Sequence, residues 1–160
     1  MAKNVSVIIP TYNRAEYLPQ ALNSILDQTI APFEIIVIND GSTDDTLQVL
    51  EPYKQYIYVD TQNNQGGASA INRGLALARG DYIWIFDDDD LALPRFIESQ
   101  LPILDNYADI AFTFTDFQVA HETEQGLIPG EIYRTGDLNI DHLLPRLMIG
   151  VFFRHTSMLI

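Results

Sequence analysis

The sequence contains no cysteine and few basic residues, and both shortages narrow what the protein can be. Without cysteine, disulfide frameworks and thiolate metal sites are excluded. Lysine and arginine together number 9, against 22 aspartates and glutamates, so the formal net charge is −13. An excess of negative charge of this size argues against electrostatic binding to nucleic acid or to an anionic membrane surface.

Long apolar runs and glycine-rich phosphate motifs are also missing. No apolar run approaches the roughly 18–20 residues that a membrane span requires, and the first residues lead directly into a strand pattern, not a charged-then-apolar signal. We therefore expect a cytoplasmic protein without a transmembrane segment. Neither G-x-x-x-x-G-K-[ST] nor G-x-G-x-x-G occurs, so P-loop and dinucleotide-binding fingerprints are unsupported. The histidines His121, His142 and His155 lack metal-ligand spacing.

The residues that are present predict an α/β domain. With 160 residues, 47% of them apolar, the chain is long enough for one domain with a substantial core. Apolar runs and helical patterns alternate four times before residue 107, which predicts a mostly parallel central sheet flanked by helices. Beyond residue 116 the pattern weakens, with a loop or hairpin expected at 120–136, a helix at 138–149 and a strand at 157–160. The predicted strands are Val5–Ile9, Glu34–Ile38, Tyr56–Asp60, Tyr82–Phe86 and Asp109–Thr115, and the predicted helices are 15–28, about 44–53, 68–79 and 95–107.

Four consecutive aspartates, Asp87 to Asp90, follow the buried strand predicted at Tyr82–Phe86. A core does not accept four carboxylates, so the chain must present them to solvent, to a cation or to both. Mg²⁺ and Mn²⁺ take oxygen ligands and commonly lie between one or two carboxylates and substrate phosphates. Because ligands of open α/β sheets bind beyond the carboxyl ends of the strands, we predict a metal–diphosphate site here. The simpler alternative is a solvated acidic loop or a negatively charged helix N-terminus.

Two more strands end in polar loops that can converge with this run at one edge of the sheet, Thr11–Arg14 and Asp40–Thr43. The Asp40 carboxylate is suited to accept a hydrogen bond from a base N–H, and the Arg14 guanidinium is suited to face phosphates. Each loop also has an ordinary explanation, since Thr11 and Asn13 can cap the first helix and Arg14 can be a surface charge. The joint occurrence of the three loops at one edge favours a shared site.

Four segments, in this order along the chain, carry a resemblance to a known family. They are Val5–Arg14 (VSVIIPTYNR), Ile36–Thr46 (IVINDGSTDDT), Ala70–Gly80 and Phe86–Pro94 (FDDDDLALP). Over roughly residues 4–115 the chain resembles the nucleotide-sugar-dependent glycosyltransferases of family 2, which are inverting enzymes of the Rossmann-like GT-A fold. The resemblance implies that a sugar is transferred from a nucleoside diphosphate donor, UDP above all, to a saccharide or other hydroxyl acceptor, with the assistance of Mn²⁺ or Mg²⁺.

The resemblance also implies roles for the residues around the nucleotide. Pro10, Thr11 and Tyr12 would pack around the base, Asp40 would accept its N–H, and Arg14 would lie in the same nucleotide site.

The acidic motif of the family falls on Asp87, Asp88 and Asp89. Asp87 and Asp88 would lie near the ribose or diphosphate, and Asp89, with Asp87, would ligate the metal, although four successive aspartates allow the motif to shift by one residue. Many members carry an arginine where this chain has Ile71, and Arg73, two residues later, is the candidate for a diphosphate contact here.

The general base of such enzymes is an Asp or Glu well downstream of the metal motif, commonly in a Glu-Asp pair, and no such pair follows residue 116. Asp137 and Asp141 are the only aspartates there. We therefore expect a donor-binding half at 1–116 and the start of an acceptor-side region at 117–160, with the base outside this chain. Two other functions remain open: a nucleotide- and metal-binding module without turnover, and a receiver-like domain. The receiver-like alternative is disfavoured because the first strand ends in Pro10-Thr11-Tyr12, not in an acidic pair.

Overall fold

The computed structural model describes residues 3–107, 110, 112–124, 126–133 and 158–159. Strands and helices alternate along the chain as the sequence predicts. The strands are β1 (Val5–Thr11), β2 (Glu34–Asn39), β3 (Tyr58–Thr61), β4 (Tyr82–Ile85), β5 (Thr113–Phe114), β6 (Phe117–Thr123), β7 (Gly126–Tyr133) and β8 (Met158–Leu159). The helices are α1 (Leu18–Leu26), α2 (Thr46–Val49), α3 (Gly67–Leu77) and α4 (Phe96–Asn106), with a 3-10 turn at Glu51–Tyr53.

The main sheet has the strand order β3-β2-β1-β4-β8-β5. The four strands from β3 to β4 run parallel, and β8 pairs antiparallel with both β4 and β5. Strands β6 and β7 form a separate antiparallel hairpin. The predicted mostly parallel sheet is therefore confirmed, and the carboxyl ends of β1, β2 and β4 lie side by side, as ligand binding at this edge requires.

Helices cover both faces of the sheet. On one face, α1 and α4 bury a large core around Trp84, whose ring stacks on Phe96 with the centroids 4.1 Å apart. On the other face, α3 packs on β1 and β2, where Ile36, Ile38 and Ala70 form a second, smaller cluster. The central position predicted for β4 is confirmed, but Ile83 and Ile85 are only half-buried, so the strand is less enclosed than its apolar run predicts.

Strand β1 continues through Pro10, where the sequence predicts its end. The Ile8 carbonyl accepts a hydrogen bond from Phe86 at 2.9 Å, and the Thr11 carbonyl accepts one from Asp40 at 2.8 Å. Since successive residues of a strand face alternate neighbours, Pro10 faces the β4 side, as Ile8 does. The β1–β4 ladder has already ended at Ile8 and Ile85. The missing N–H of Pro10 therefore removes no ladder hydrogen bond.

The remaining differences from the predicted elements lie mainly at their ends. Strand β3 begins two residues later than predicted, β5 spans only Thr113–Phe114, and a hairpin forms within 117–133. The helix predicted at 138–149 lies outside the described residues. Because β8 joins the main sheet, that sheet includes residues from both sides of the expected boundary at 116/117, which itself stays a prediction. Among the described residues no helix is both long and apolar enough to cross a membrane.

Gly74 allows the close approach of α3 to the sheet. A Cβ atom at this position would lie 2.3 Å from Ile8 Cγ2, far inside van der Waals contact. Ile8 is fully buried in the central strand β1 and has little room to move. Glycine at this position therefore sets how near the helix, and with it the cleft residues at its N-terminus, can lie to the strand ends.

We expect Gly74→Ala to destabilise the protein by about 1–2 kcal/mol, because overpacking outweighs the better helix propensity of alanine. Urea unfolding followed by circular dichroism measures the change. Gly67→Ala is the matched control in the same helix, since no atom lies within 4 Å of a Cβ added there, and it should leave the free energy of unfolding unchanged or slightly raised. Equal stability of the two variants would contradict the close-approach argument.

Candidate functional site

A cleft of about 280 Å³ opens at the carboxyl ends of β1 and β2, beside the N-terminus of α3 and the aspartate run. The cleft unites the three polar loops that the sequence predicts to converge. Six of the nine predicted site residues line it, together with two residues of α3 that were not predicted. The lining residues are Pro10, Thr11, Tyr12, Arg14, Asp40, Gly67, Ala70 and Asp88.

Asp40 is a buried carboxylate that is well supplied with hydrogen-bond donors. It is 3% exposed. Its Oδ1 accepts from Gln62 Nε2 at 2.7 Å and from the Gln65 N–H at 2.9 Å, and its Oδ2 accepts from the Gly66 N–H at 2.8 Å. Burial by itself would raise the pKa of Asp40, but these three donors outweigh it and hold the pKa below its ordinary value. Asp40 therefore ties the loop before α3 to the end of β2.

Asn13 joins the loop after β1 to the loop after β2, and caps no helix. Its N–H donates to Ser42 Oγ at 2.9 Å, and its side-chain Oδ1 accepts from the Thr43 N–H at 2.7 Å. Its φ of 53° lies in the left-handed region, which asparagine tolerates better than most residues. Tyr12 and Arg14, the neighbours of Asn13, are thereby held at the mouth of the cleft.

Asp88 is the opposite of Asp40, a buried carboxylate without enough partners. The residue is 8% exposed, and burial is the main cause that raises its pKa to about 6. The Thr11 hydroxyl lowers the pKa in part, although its oxygen makes no hydrogen bond of ordinary geometry within the described residues. The negative charge of Asp89 raises the pKa of Asp88, Arg14 lowers it, and Asp87 raises it further.

Arg14 is the cation that faces the aspartate run. Its Nε lies 3.8 Å from Asp88 Oδ1, and one terminal nitrogen lies 3.8 Å from Asp89 Oδ2. These separations are longer than direct charge-assisted hydrogen bonds. Because the Arg14 side chain is 46% exposed, solvent also weakens the attraction. Arg14 thus neutralises the negative charge of Asp88 and Asp89 only in part.

The aspartate run fits a hard divalent cation that a ligand helps to hold. The described residues contain no group of three or more carboxylate or histidine side chains gathered as a metal site. Asp88 in the cleft lining and half-exposed Asp89 beside it nevertheless present carboxylate oxygens, and burial raises the pKa of Asp88, so that a nearby cation would favour its charged form. Mg²⁺ and Mn²⁺ are commonly held by one or two carboxylates together with phosphate oxygens.

Arg73 is the predicted site residue that the structure holds elsewhere. It forms a two-point ion pair with Asp60 at the end of β3, with nitrogen–oxygen distances of 2.6 and 3.0 Å, and it does not line the cleft. Asp87 and Asp89 lie in the run beside Asp88 without lining the cleft. Conversely, Gln62 and Gly66 were missed as partners of Asp40. The sequence Gln65-Gly66-Gly67 before an alanine-rich helix was a signal for Gly66, whereas no sequence pattern pointed to Gln62.

Comparisons with known proteins place the chain in a family. The model of glycosyl transferase family 2 matches residues 6–156, and the chain belongs to that family. An uncharacterised glycosyltransferase of Haemophilus influenzae is 38% identical over 138 residues, which are 84% of this chain and 42% of that protein. The uncharacterised glycosyltransferase YibD of Escherichia coli is 34% identical over 140 residues, 84% of this chain and 41% of that protein. The chain thus spans about two fifths of the length of these relatives.

Solved structures share the GT-A fold with this chain. Residues 1–349 of Staphylococcus aureus TarS, in complex with UDP-GlcNAc, superpose with a TM-score of 0.60 at 32% identity, over 66% of this chain and 32% of that one. The mannosyltransferase PcManGT of Pyrobaculum calidifontis, in complex with GDP-Man and Mn²⁺, superposes with a TM-score of 0.56 at 27% identity, over 61% of this chain and 31% of that one.

We expect Asn13→Ala to lower the free energy of unfolding by about 1–3 kcal/mol, because the Thr43 N–H loses its acceptor and alanine is strained at a positive φ. Urea unfolding measures the loss, and hydrogen exchange at the Thr43 amide should accelerate. Asn13→Asp keeps both the acceptor and the backbone conformation and should stay close to the wild type. Asn13→Gly relieves the strain without supplying the acceptor, so slow exchange at Thr43 in that variant would contradict the hydrogen-bond argument.

We expect Asp88→Asn to stabilise the metal-free protein by about 2–3 kcal/mol above pH 6. Since the folded-state pKa is raised to about 6 from 3.8, the native state binds this proton more tightly than the unfolded state does. Stability from this group is fully present below about pH 4 and is lost as the pH rises through 6. Thermal unfolding in EDTA from pH 4 to 8 measures it, with Asp27→Asn at the exposed end of α1 as control. A gap between variant and wild type that does not narrow toward pH 4 would contradict the assignment.

Proposed function

We propose that this chain forms the donor-binding part of an inverting, metal-assisted glycosyltransferase that uses a nucleoside diphosphate sugar, with UDP as the first candidate. The observation that carries the proposal is the cleft itself, which is lined both by Asp40, a buried carboxylate with three hydrogen-bond donors, and by Asp88, whose pKa is raised mainly by burial. The family supports sugar transfer, and the UDP-GlcNAc complex of TarS supports a nucleotide-sugar donor.

The nucleoside would lie at the β1 and β2 side of the cleft. Pro10, Thr11 and Tyr12 supply one wall, and the exposed Tyr12 ring is suited to lie against a planar base. Within the part of the chain that the structure describes, Asp40 Oδ2 accepts one hydrogen bond, from the Gly66 N–H. A carboxylate oxygen has two lone pairs, so Oδ2 keeps capacity to accept one N–H of a base.

Asp88 and Asp89, with Asp87 beside them, would hold Mn²⁺ or Mg²⁺ against the diphosphate. When bound, the metal supplies positive charge that stabilises the leaving diphosphate. The Mn²⁺ in the PcManGT complex supports the use of a divalent cation in this fold. The contribution of this chain is to place carboxylates at the edge of the cleft and to bury one of them, which makes the binding of a cation favourable.

Transfer with inversion further requires a carboxylate that deprotonates the acceptor hydroxyl as it attacks the opposite face of the sugar. No described residue is assigned that role, and Asp137 and Asp141 lie outside the described residues. The second candidate function is therefore a nucleotide- and metal-binding module without turnover, favoured because the cleft offers binding groups while no described residue is assigned the role of the base. The cytoplasmic location and the acceptor-side role of 117–160 stay predictions.

Isothermal titration of UDP, with and without Mn²⁺, tests the donor site. We expect binding that depends on the metal, loss of that dependence in Asp89→Ala, and weaker binding in Asp40→Ala under both conditions. Asp45→Ala, an exposed carboxylate at the start of α2, is the matched control and should bind as the wild type does. Circular dichroism separates lost binding from lost folding, which matters for Asp40 because it anchors a loop.

Three outcomes separate the candidates. Failure of the wild type to bind either UDP or GDP, with or without metal, would overturn the proposal. Unchanged metal-dependent binding in Asp89→Ala would remove Asp89 from the metal site. Metal-dependent binding of UDP without transfer or hydrolysis of any UDP-sugar would favour the binding module over the enzyme.

A further inference from the structure

Among the residues that the structure describes, Arg14 is the one basic residue in the cleft lining. The structure describes six of the nine lysines and arginines, and of these six Arg14 alone lines the cleft. Each of the other five forms an ion pair with a carboxylate outside the cleft lining. Those pairs are Lys3–Asp105, Lys54–Glu51, Arg73–Asp60, Arg79–Glu34 and Arg95–Glu98.

The contacts of Arg14 with carboxylates are longer than those in most of the five pairs, so another cation can displace Arg14 more easily. Four of the five have nitrogen–oxygen distances of 3.0 Å or less, whereas Arg14 reaches Asp88 and Asp89 only at 3.8 Å. It spans two carboxylates at once without a close bond to either. A guanidinium held in this way neutralises charge but is readily displaced by a stronger cation.

The backbone of Arg14 is anchored while its side chain is not. The Arg14 N–H donates to Thr46 Oγ1 at 3.1 Å, and its carbonyl accepts from the N–H groups of Tyr17 and Leu18 at 3.1 and 3.0 Å. The guanidinium lies 5.9 Å from the centre of the Tyr17 ring and is nearly half-exposed. A change of side-chain rotamer can therefore redirect the charge without moving the loop.

We propose that the Arg14 guanidinium acts as a counter-ion to Asp88 and Asp89 as long as no metal is bound. When the donor and its metal bind, the guanidinium turns toward the diphosphate. The proposal rests on the donor site proposed above. It adds that Arg14 and the metal compete for Asp88 and Asp89. A divalent cation on the aspartate run removes the attraction that holds Arg14 beside Asp88 and Asp89. The diphosphate, which arrives with the cation, then offers the guanidinium oxygen acceptors that match its planar geometry.

This exchange predicts effects of opposite sign on two ligands. Without nucleotide, Arg14 repels an incoming cation, so Arg14→Gln should bind Mn²⁺ about threefold to tenfold more tightly than the wild type. With Mn²⁺ present, the same variant lacks the guanidinium for the diphosphate and should bind UDP about tenfold or more weakly. A residue with a merely structural role would weaken both interactions or neither.

The experiment is a pair of isothermal titrations on the wild type, Arg14→Gln, Arg14→Lys and Lys54→Gln. Mn²⁺ is first titrated into each protein without nucleotide, and UDP is then titrated into each at a fixed excess of Mn²⁺. Arg14→Lys keeps the charge, so its Mn²⁺ affinity should return to about the wild-type value, while its UDP affinity stays below it because the planar fork is lost. Lys54→Gln removes one charge outside the cleft lining and should change neither affinity.

Tighter Mn²⁺ binding together with weaker UDP binding in Arg14→Gln, and only there, supports the exchange. Unchanged or weaker Mn²⁺ binding in Arg14→Gln, while the wild type still binds UDP in a metal-dependent way, overturns the counter-ion role and leaves the donor site standing. Tighter Mn²⁺ binding with unchanged UDP affinity overturns the transfer of Arg14 to the diphosphate. Absence of both Mn²⁺ and UDP binding in the wild type overturns the donor site and this proposal together.

Discussion

The site depends on two buried carboxylates that follow the two strands on either side of β1, and that are stabilised to very different degrees. Asp40, at the end of β2, accepts three hydrogen bonds from one short stretch of chain, and its pKa falls despite burial. Asp88, beyond the end of β4, is raised in pKa to about 6 chiefly by burial, which the Thr11 hydroxyl and the more distant Arg14 offset only in part. Asp40 therefore stabilises the loops around the cleft, whereas the buried negative charge of Asp88 is unfavourable and would be stabilised by a bound cation.

The parallel sheet is what brings these groups together. Loops from β1, β2 and β4 all leave the sheet at one edge, and direct bonds join the first two of them: Asp40 N–H to the Thr11 carbonyl, and the Asn13 side chain to the Thr43 N–H. A backbone bond and a side-chain bond thus hold the loops together where the strands end. A cleft held in this way is largely pre-formed, which lowers the conformational entropy that ligand binding must overcome.

An acidic protein that handles an acidic ligand needs its few cations in defined places. With a net charge of −13, this chain has little general attraction for a diphosphate, and most of its described basic side chains are paired with carboxylates away from the cleft. Arg73, the other arginine expected near the diphosphate, lies against Asp60 instead. Of the described basic residues, Arg14 alone lines the cleft, and the proposed metal would add the positive charge that a diphosphate needs.

The order of strands and helices, the predominantly parallel sheet and the three loops at its edge can be predicted from local periodicity and from the apolar runs that precede the polar clusters. The partners of the polar groups cannot be predicted in this way, because they depend on the folded chain. The bonds from Gln62 and Gly66 to Asp40, the pairing of Arg73 with Asp60, and the continuation of β1 through Pro10 all depend on distances between segments far apart in the chain. Local composition does not contain those distances. The sequence therefore shows where a charged residue lies in the chain, but not which group neutralises its charge.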